Sequence, residues 1–430
     1  MAKLRREYIL AAIHAGTYER SGVQDPISID IRKLLCGMSP ISLEHSIFKV
    51  RRQLREVNEK AYDPEILAIG PYHHGNDNYK FMEEQKLRYL QRLLERRNEG
   101  SIDKCMSKLR ELEQQARNCY AETIDASQEK FLAMMLIDGC FIIELFRKYD
   151  IKELRDEDDP VMHESGIRIS IGHDLLRLEN QVPLFILSTL YDLTKGPGEH
   201  HEFSYVATKY FNIELGGPSR NRTIDKIQGE HLLHLYHMWR TSVLPKKPEE
   251  FCITVMPSAT ELRESGVRFR ALQEGELSDI KFENGTLKMP VLYVEDSTES
   301  KFRNLIAYEQ YRQSRGINYF TDYVVLLDCL INSSKNVEVL RRTGIIKNYF
   351  GDDEVVVQMF NKIGDYITVS GSYYSEIFKN VNAYCDFWTV KLRRAYFHSP
   401  WAFLPVPVAF SLLLTIAQTV FSILSYAKQS

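Results

Sequence analysis

The sequence has no paired cysteines, no excess of either charge, and none of the short motifs that mark the common enzyme classes. Its seven cysteines, Cys36, Cys105, Cys119, Cys140, Cys252, Cys329 and Cys385, are scattered with no C-x-x-C pair. That spacing excludes a disulfide framework and fits a reducing compartment. Cys140 and Cys329 lie inside apolar runs, where a free thiol packs as a small hydrophobe. Fifty-five basic residues against 58 acidic ones leave a formal charge of -3, too little field to attract nucleic acid. No G-x-S-x-G elbow, phosphate-binding lysine loop, dinucleotide glycine fingerprint, H-E-x-x-H or kinase set occurs. The motif-bearing enzymes lose their support, and no cofactor is expected. The basic start MAKLRREYILAAIHAG carries only a short apolar stretch, interrupted by His14, with no small-residue cleavage site, so a signal peptide is not expected.

What the chain does have is the composition of a folded protein: 44% hydrophobic, 11% aromatic and 26% charged residues over 430 positions. Apolar residues recur at helical spacing along most of it. Residues 79–97 place Met82, Leu87, Leu90, Leu93 and Leu94 to one side, with Glu83, Glu84, Arg88, Arg92 and Arg96 for the other, which predicts an amphipathic surface helix. Residues 127–149 are far more apolar but contain Asp138 and Glu144, which predicts a central core helix. Residues 173–193 read as a third helix, kinked or broken by Pro183. β structure is expected around 267–294, where Asn284-Gly285 between two alternating segments is a two-residue hairpin signal. Helices are expected again from Phe302 to Arg394.

The C-terminal end predicts something different. Val408 to Tyr426 is an uncharged run of 19 residues, VAFSLLLTIAQTVFSILSY. As a helix it would reach about 28 Å, close to the thickness of a bilayer core. Trp401, Phe403 and Tyr426 stand where interfacial aromatics stand, and Lys391, Arg393 and Arg394 before the run outnumber Lys428 after it. The expectation is a single-pass, tail-anchored protein of the plasma membrane or an endomembrane, with its large domain in the cytosol. Ser411, Thr415, Gln418, Ser422 and Ser425 fall on one face of that helix, where they could pair two copies of the chain or simply bond their own preceding carbonyls. Asn221, Asn284 and Asn332 head N-x-S/T sequons that would be glycosylated only in the opposite orientation.

Few residues suggest chemistry. His231, His234 and His237 share one broad helix face and are the candidate metal ligands, although the apolar residues between them favour a packing role. His73 and His74 in GPYHHG could reach one site from a tight loop. Asp138, Glu144, Asp174 and Glu179 lie in apolar runs, where a carboxylate needs a partner, and Arg177 is the nearest for Asp174. His73, His74, Asp138, Asp174 and Glu179 are thus the catalytic candidates. The competing reading is a buried polar network that joins core helices.

The order of AYDPEILAIGPYHHG (61–75), FMEEQKLRYLQRLL (81–94), FLAMMLIDGCFIIELFR (131–147), HDLLRLENQVPLFIL (173–187), TELRESGVRFR (260–270), NLIAYEQ (304–310) and DCLINS (328–333) resembles the plant proteins called domain of unknown function 247. Arg51 stands where relatives usually have proline. The resemblance implies a plant protein with one domain and a C-terminal membrane helix. Family members have no established enzymatic activity, and the link of some grass members to pollen self-incompatibility suggests recognition or signalling.

The chain is therefore expected to be mainly α. A segment over 1–44 precedes a single helical domain over 45–397, followed by a Pro-rich approach over 398–407, a transmembrane helix over 408–426 and a tail over 427–430. Two functions remain open: a membrane-anchored module that binds an unknown protein partner, and an unfamiliar membrane-associated enzyme with a His/carboxylate pocket.

Overall fold

The chain divides into two units, 1–44 and 45–430. The computed structural model describes residues 45–97, 100–196, 198–215, 229–241, 255–312, 318–369, 371–386 and 405–429, all in the second unit. The sequon at Asn221, the Lys391–Arg394 cluster and residues 1–44 lie outside the described residues.

Helix Gln128–Asp150 is the axis of the first half of the unit. The Ser127 hydroxyl accepts from the Lys130 N–H and caps its start. Helices Lys80–Arg97, Gly100–Asn118, Leu184–Leu193 and Phe203–Glu214 pack around it, so its apolar residues from Phe131 to Phe146 are buried except Ala133 and, in part, Ile137. A helix that is apolar all round demands such a surround, and each fully buried Leu, Ile or Phe contributes about 1.5–3 kcal/mol. The second half gathers helices Asp296–Tyr311, Tyr319–Leu330, Ser334–Arg342 and Asp353–Ile363, and Leu232–Thr241 touches both groups.

Two small sheets complete the unit. Strands β1 (Arg268–Leu272), β2 (Lys281–Glu283) and β3 (Thr286–Pro290) lie in the order β1-β3-β2. The β2–β3 pair is antiparallel through Asn284 and Gly285, both at positive φ (50° and 69°), as a two-residue hairpin turn of this type requires. Strand β4 (Leu292–Val294) pairs in parallel with β5 (Ile346–Asn348), inside a stretch expected to be helical. Strands of three residues leave no periodicity to read.

Several expectations are corrected. The segment 173–193 is broken and not kinked, the second of the two outcomes expected at Pro183, but the break is wider than expected: Ser165–Asp174 ends before Leu175, and Leu184–Leu193 begins only after Pro183, so residues 175–183 are irregular. In Lys80–Arg97 the buried face is Met82, Gln85, Lys86, Tyr89 and Leu93, whereas Leu87 is 54% exposed. The predicted face was displaced because buried polar residues carry no hydropathic signal.

The membrane-spanning helix is also corrected. Helix Pro405–Gln429 forms, but among the described residues no helix is long and apolar enough to cross a membrane. The residues described over 410–422 are exposed. That stretch includes Ser411, Thr415, Gln418, Thr419 and Ser422, while the Ser425 side chain lies outside the described residues. Ser411 and Thr415 donate to the carbonyls of Val408 and Ser411, both at 2.8 Å, the local bonding expected when hydroxyls serve their own helix.

Candidate functional site

Residues 61–70 cross the protein without regular structure and largely buried, so their backbone polar groups need partners from elsewhere. Side chains of the HDLLRLENQ segment supply them. The Asp174 carboxylate accepts the N–H groups of Glu65, Ile66 and Leu67 at 2.7, 2.9 and 2.9 Å. Asn180 accepts from the Ile69 N–H at 2.6 Å and donates to the Leu67 carbonyl at 2.9 Å. Asp138 takes the Gly70 N–H at 2.8 Å, and Lys86 reaches both the Ala68 carbonyl and Asp138, at 2.5 and 2.7 Å. Gly70 sits at φ 71°, and a Cβ there would lie 2.4 Å from the Gln181 carbonyl oxygen, so only glycine fits.

Arg177 completes this clasp. Its Nε bonds Asp174 at 2.8 Å, and its Nη1 donates to the Ala61 carbonyl at 2.7 Å and to the Ser300 hydroxyl at 3.1 Å. Asn304 also donates to the Ala61 carbonyl, at 2.8 Å, and accepts the Leu178 N–H at 2.9 Å. Burial pushes the Asp174 carboxyl up, against the opposing pull of Arg177 and the three N–H donors.

The catalytic candidates are thereby placed. Asp138 and Asp174 are buried and occupied by backbone N–H groups and their cationic partners. Glu179 accepts the Val50 N–H at 2.6 Å and pairs with Arg55 at 2.8 Å. His73 stands 3.9 Å from Glu179, with its Nε2 buried and without a hydrogen bond, and burial lowers its basicity. His74 is exposed. Glu144, in the same class by sequence, is held by Arg96 and Arg147 at 2.5 and 2.9 Å.

The metal candidates are placed around one ring. His231, His234 and His237 all pack against Tyr308, with centroids 5.5, 5.3 and 5.4 Å away. Each bonds a different group: His231 the Ser46 carbonyl, His234 the Glu230 N–H, and His237 the Glu309 carboxylate at 2.7 Å. Burial, with Arg312 nearby, pushes His231 down to about 3, so the ring is neutral. Among the described residues no group of three or more His, Cys, Asp or Glu could hold a metal ion.

What the clasp presents is a cleft of about 630 Å³. One wall is the pinned segment with Lys60, Asp63, Pro64 and Glu65, the second carries Ile169 and His173, and the third is the start of helix Asp296–Tyr311 with Asp296 and Glu299. Four carboxylates face two cations, Lys60 and Arg177. Asp63 is paired with Arg55, and Glu299 with Arg303, both at 2.7 Å. Glu65 and Asp296 are exposed and have no ion-pair partner among the described residues. Ile169 is 44% exposed beside them. The His173 ring makes no hydrogen bond among the described residues, and burial with Lys301 and Arg177 nearby pushes it down to about 4. Lys60 is likewise exposed and without an ion-pair partner among the described residues, so two carboxylates stand against one ammonium and the accessible charge is net negative, with an apolar edge. Sequence reasoning missed Ile169 and His173, since nothing in their spacing says that they face a segment 100 residues away.

The family model described as plant protein of unknown function matches residues 47–415. UPF0481 protein At3g47200 of Arabidopsis thaliana is 30% identical over 417 residues, which cover 88% of this chain and 86% of the relative. A second Arabidopsis thaliana protein, UPF0481 protein At3g02645, is 24% identical over 481 aligned positions, covering 88% of this chain and 90% of the relative. No solved structure matches.

Proposed function

The chain belongs to the plant family known as domain of unknown function 247, and on that premise we propose that its second unit is a protein-binding recognition module whose cleft takes a basic segment of a partner. The single observation that carries this reading is the cleft itself: a concave surface lined by an exposed isoleucine and two carboxylates without ion-pair partners among the described residues, on a backbone held rigid from beneath. Such a surface suits a segment in which Lys or Arg lies next to an apolar residue, because opposite charges orient the encounter and apolar burial holds it. Rigidity helps, since a pre-ordered wall loses little freedom on binding. An enzyme working through His73, His74 and the carboxylates has less support, because the carboxylates already serve backbone amides and cations.

A photo-crosslinking residue in place of Ile169, presented with a peptide library of random sequence, tests the reading. Peptides with Lys or Arg beside an aliphatic or aromatic residue should be captured. Capture of acidic peptides, or equal capture with the crosslinker moved to exposed Tyr366, would overturn it.

A further inference from the structure

A second pocket, of about 300 Å³, opens between helix Lys80–Arg97 and the loop before Pro160. We propose that it binds a neutral polyhydroxylated molecule of monosaccharide size. The Gln85 side chain lines this pocket, is 3% exposed, and makes no hydrogen bond among the described residues. An amide that lines a pocket floor without a protein partner turns its donors and its acceptor to whatever fills the pocket, which suits a group that both donates and accepts. A hydroxyl does both.

The charges around the pocket exclude an ion. Arg88, Arg92 and Lys148 face Asp156, Asp158 and Asp159, three against three. Lys148 lies 2.5 Å from Asp159, 3.1 Å from Asp156 and 4.1 Å from the centre of the Tyr89 ring, so the deepest charges neutralise one another. A ligand of either sign would lose its hydration there without a net field to replace it. Donors and acceptors alternating around a small polar space suit vicinal hydroxyls instead. Arg88, exposed and without a partner among the described residues, is free to span two of them. The volume is at the low end for small-molecule pockets and suits one sugar ring.

The test is saturation-transfer NMR on the full chain with glucose, galactose, mannose and myo-inositol, beside glucuronate and glucosamine as charged counterparts. At least one neutral compound should bind saturably and more tightly than either charged one. Gln85→Leu should weaken that binding at least tenfold with no loss of melting temperature, because the amide it removes has no protein partner among the described residues. Arg88→Ala, on the surface, should weaken it at least threefold. The proposal is overturned if no neutral compound saturates, if a charged counterpart binds best, or if binding survives both substitutions unchanged.

Discussion

Replacing Asp174 by alanine removes, in one step, the acceptor of three backbone N–H groups and the partner of a buried arginine. Breaking a buried ion pair from one side costs about 3–5 kcal/mol, because the remaining charge is left uncompensated. Unsatisfied buried donors cost about 1–3 kcal/mol each, although the Glu65 amide is near enough to solvent to regain water. One deletion causes both losses and they do not add, so on the ion-pair cost alone we expect a loss of about 3–5 kcal/mol in the stability of the 61–70 segment, a large fraction of the 5–15 kcal/mol that holds a typical domain together. Native-state hydrogen exchange reads it directly. At about 1.4 kcal/mol per factor of ten, the Ile66 and Leu67 amides should exchange between roughly a hundredfold and a few thousandfold faster. Glu65→Ala, which removes an exposed side chain outside the clasp, should change exchange by no more than about twofold, in line with surface substitutions of within about 0.5 kcal/mol. Acceleration below about fivefold for Asp174→Ala, which corresponds to less than 1 kcal/mol, would refute the clasp as the element that orders the cleft wall.

Gly70→Ala forces a side chain into φ 71° and against the Gln181 carbonyl, so stability should fall by about 2–4 kcal/mol, measured as a lower melting temperature; an unchanged value would mean the backbone there relaxes freely. His231 has a folded pKa of about 3, below its ordinary 6.5, so the unfolded chain binds its proton first on acidification. Its contribution is complete above pH 6.5 and declines by about 1.4 kcal/mol per pH unit as pH falls toward 3. Urea midpoints across pH 4–6 should therefore slope less steeply in His231→Phe than in the parent, and parallel slopes would contradict the neutral buried ring.

The central helix was legible because a nearly unbroken apolar run long enough for a helix has one economical solution, burial all round. Buried polar residues were the blind spot. Lys86 and Gln85 occupy the buried face of their helix while Leu87 points outward, because Lys86 is matched to Asp138 from another helix and no local pattern records that match. The need of Asp174 for a partner could be read from its apolar neighbours, and Arg177 at three residues' distance was visible. That the other partners are backbone amides 107 to 109 residues away was not. Strand Ile346–Asn348 escaped for the same reason, since so short a strand is defined by its parallel neighbour Leu292–Val294, distant in the chain. At the C-terminus, hydropathy identified the helix but not its surroundings.

The most direct measurement is the affinity of the parent chain and of a Glu65→Lys, Asp296→Lys double variant for one matched pair of peptides, Lys/Arg-Leu and Glu-Leu, by fluorescence anisotropy. Exposed charge pairs are worth about 0.2–1 kcal/mol each, and reversal counts the lost attraction and the new repulsion. The basic peptide should therefore bind the variant more weakly by roughly fourfold to several hundredfold, the acidic peptide should gain, and both shifts should shrink in high salt. Equal affinity of parent and variant for the basic peptide would contradict the assignment of the cleft as the recognition surface.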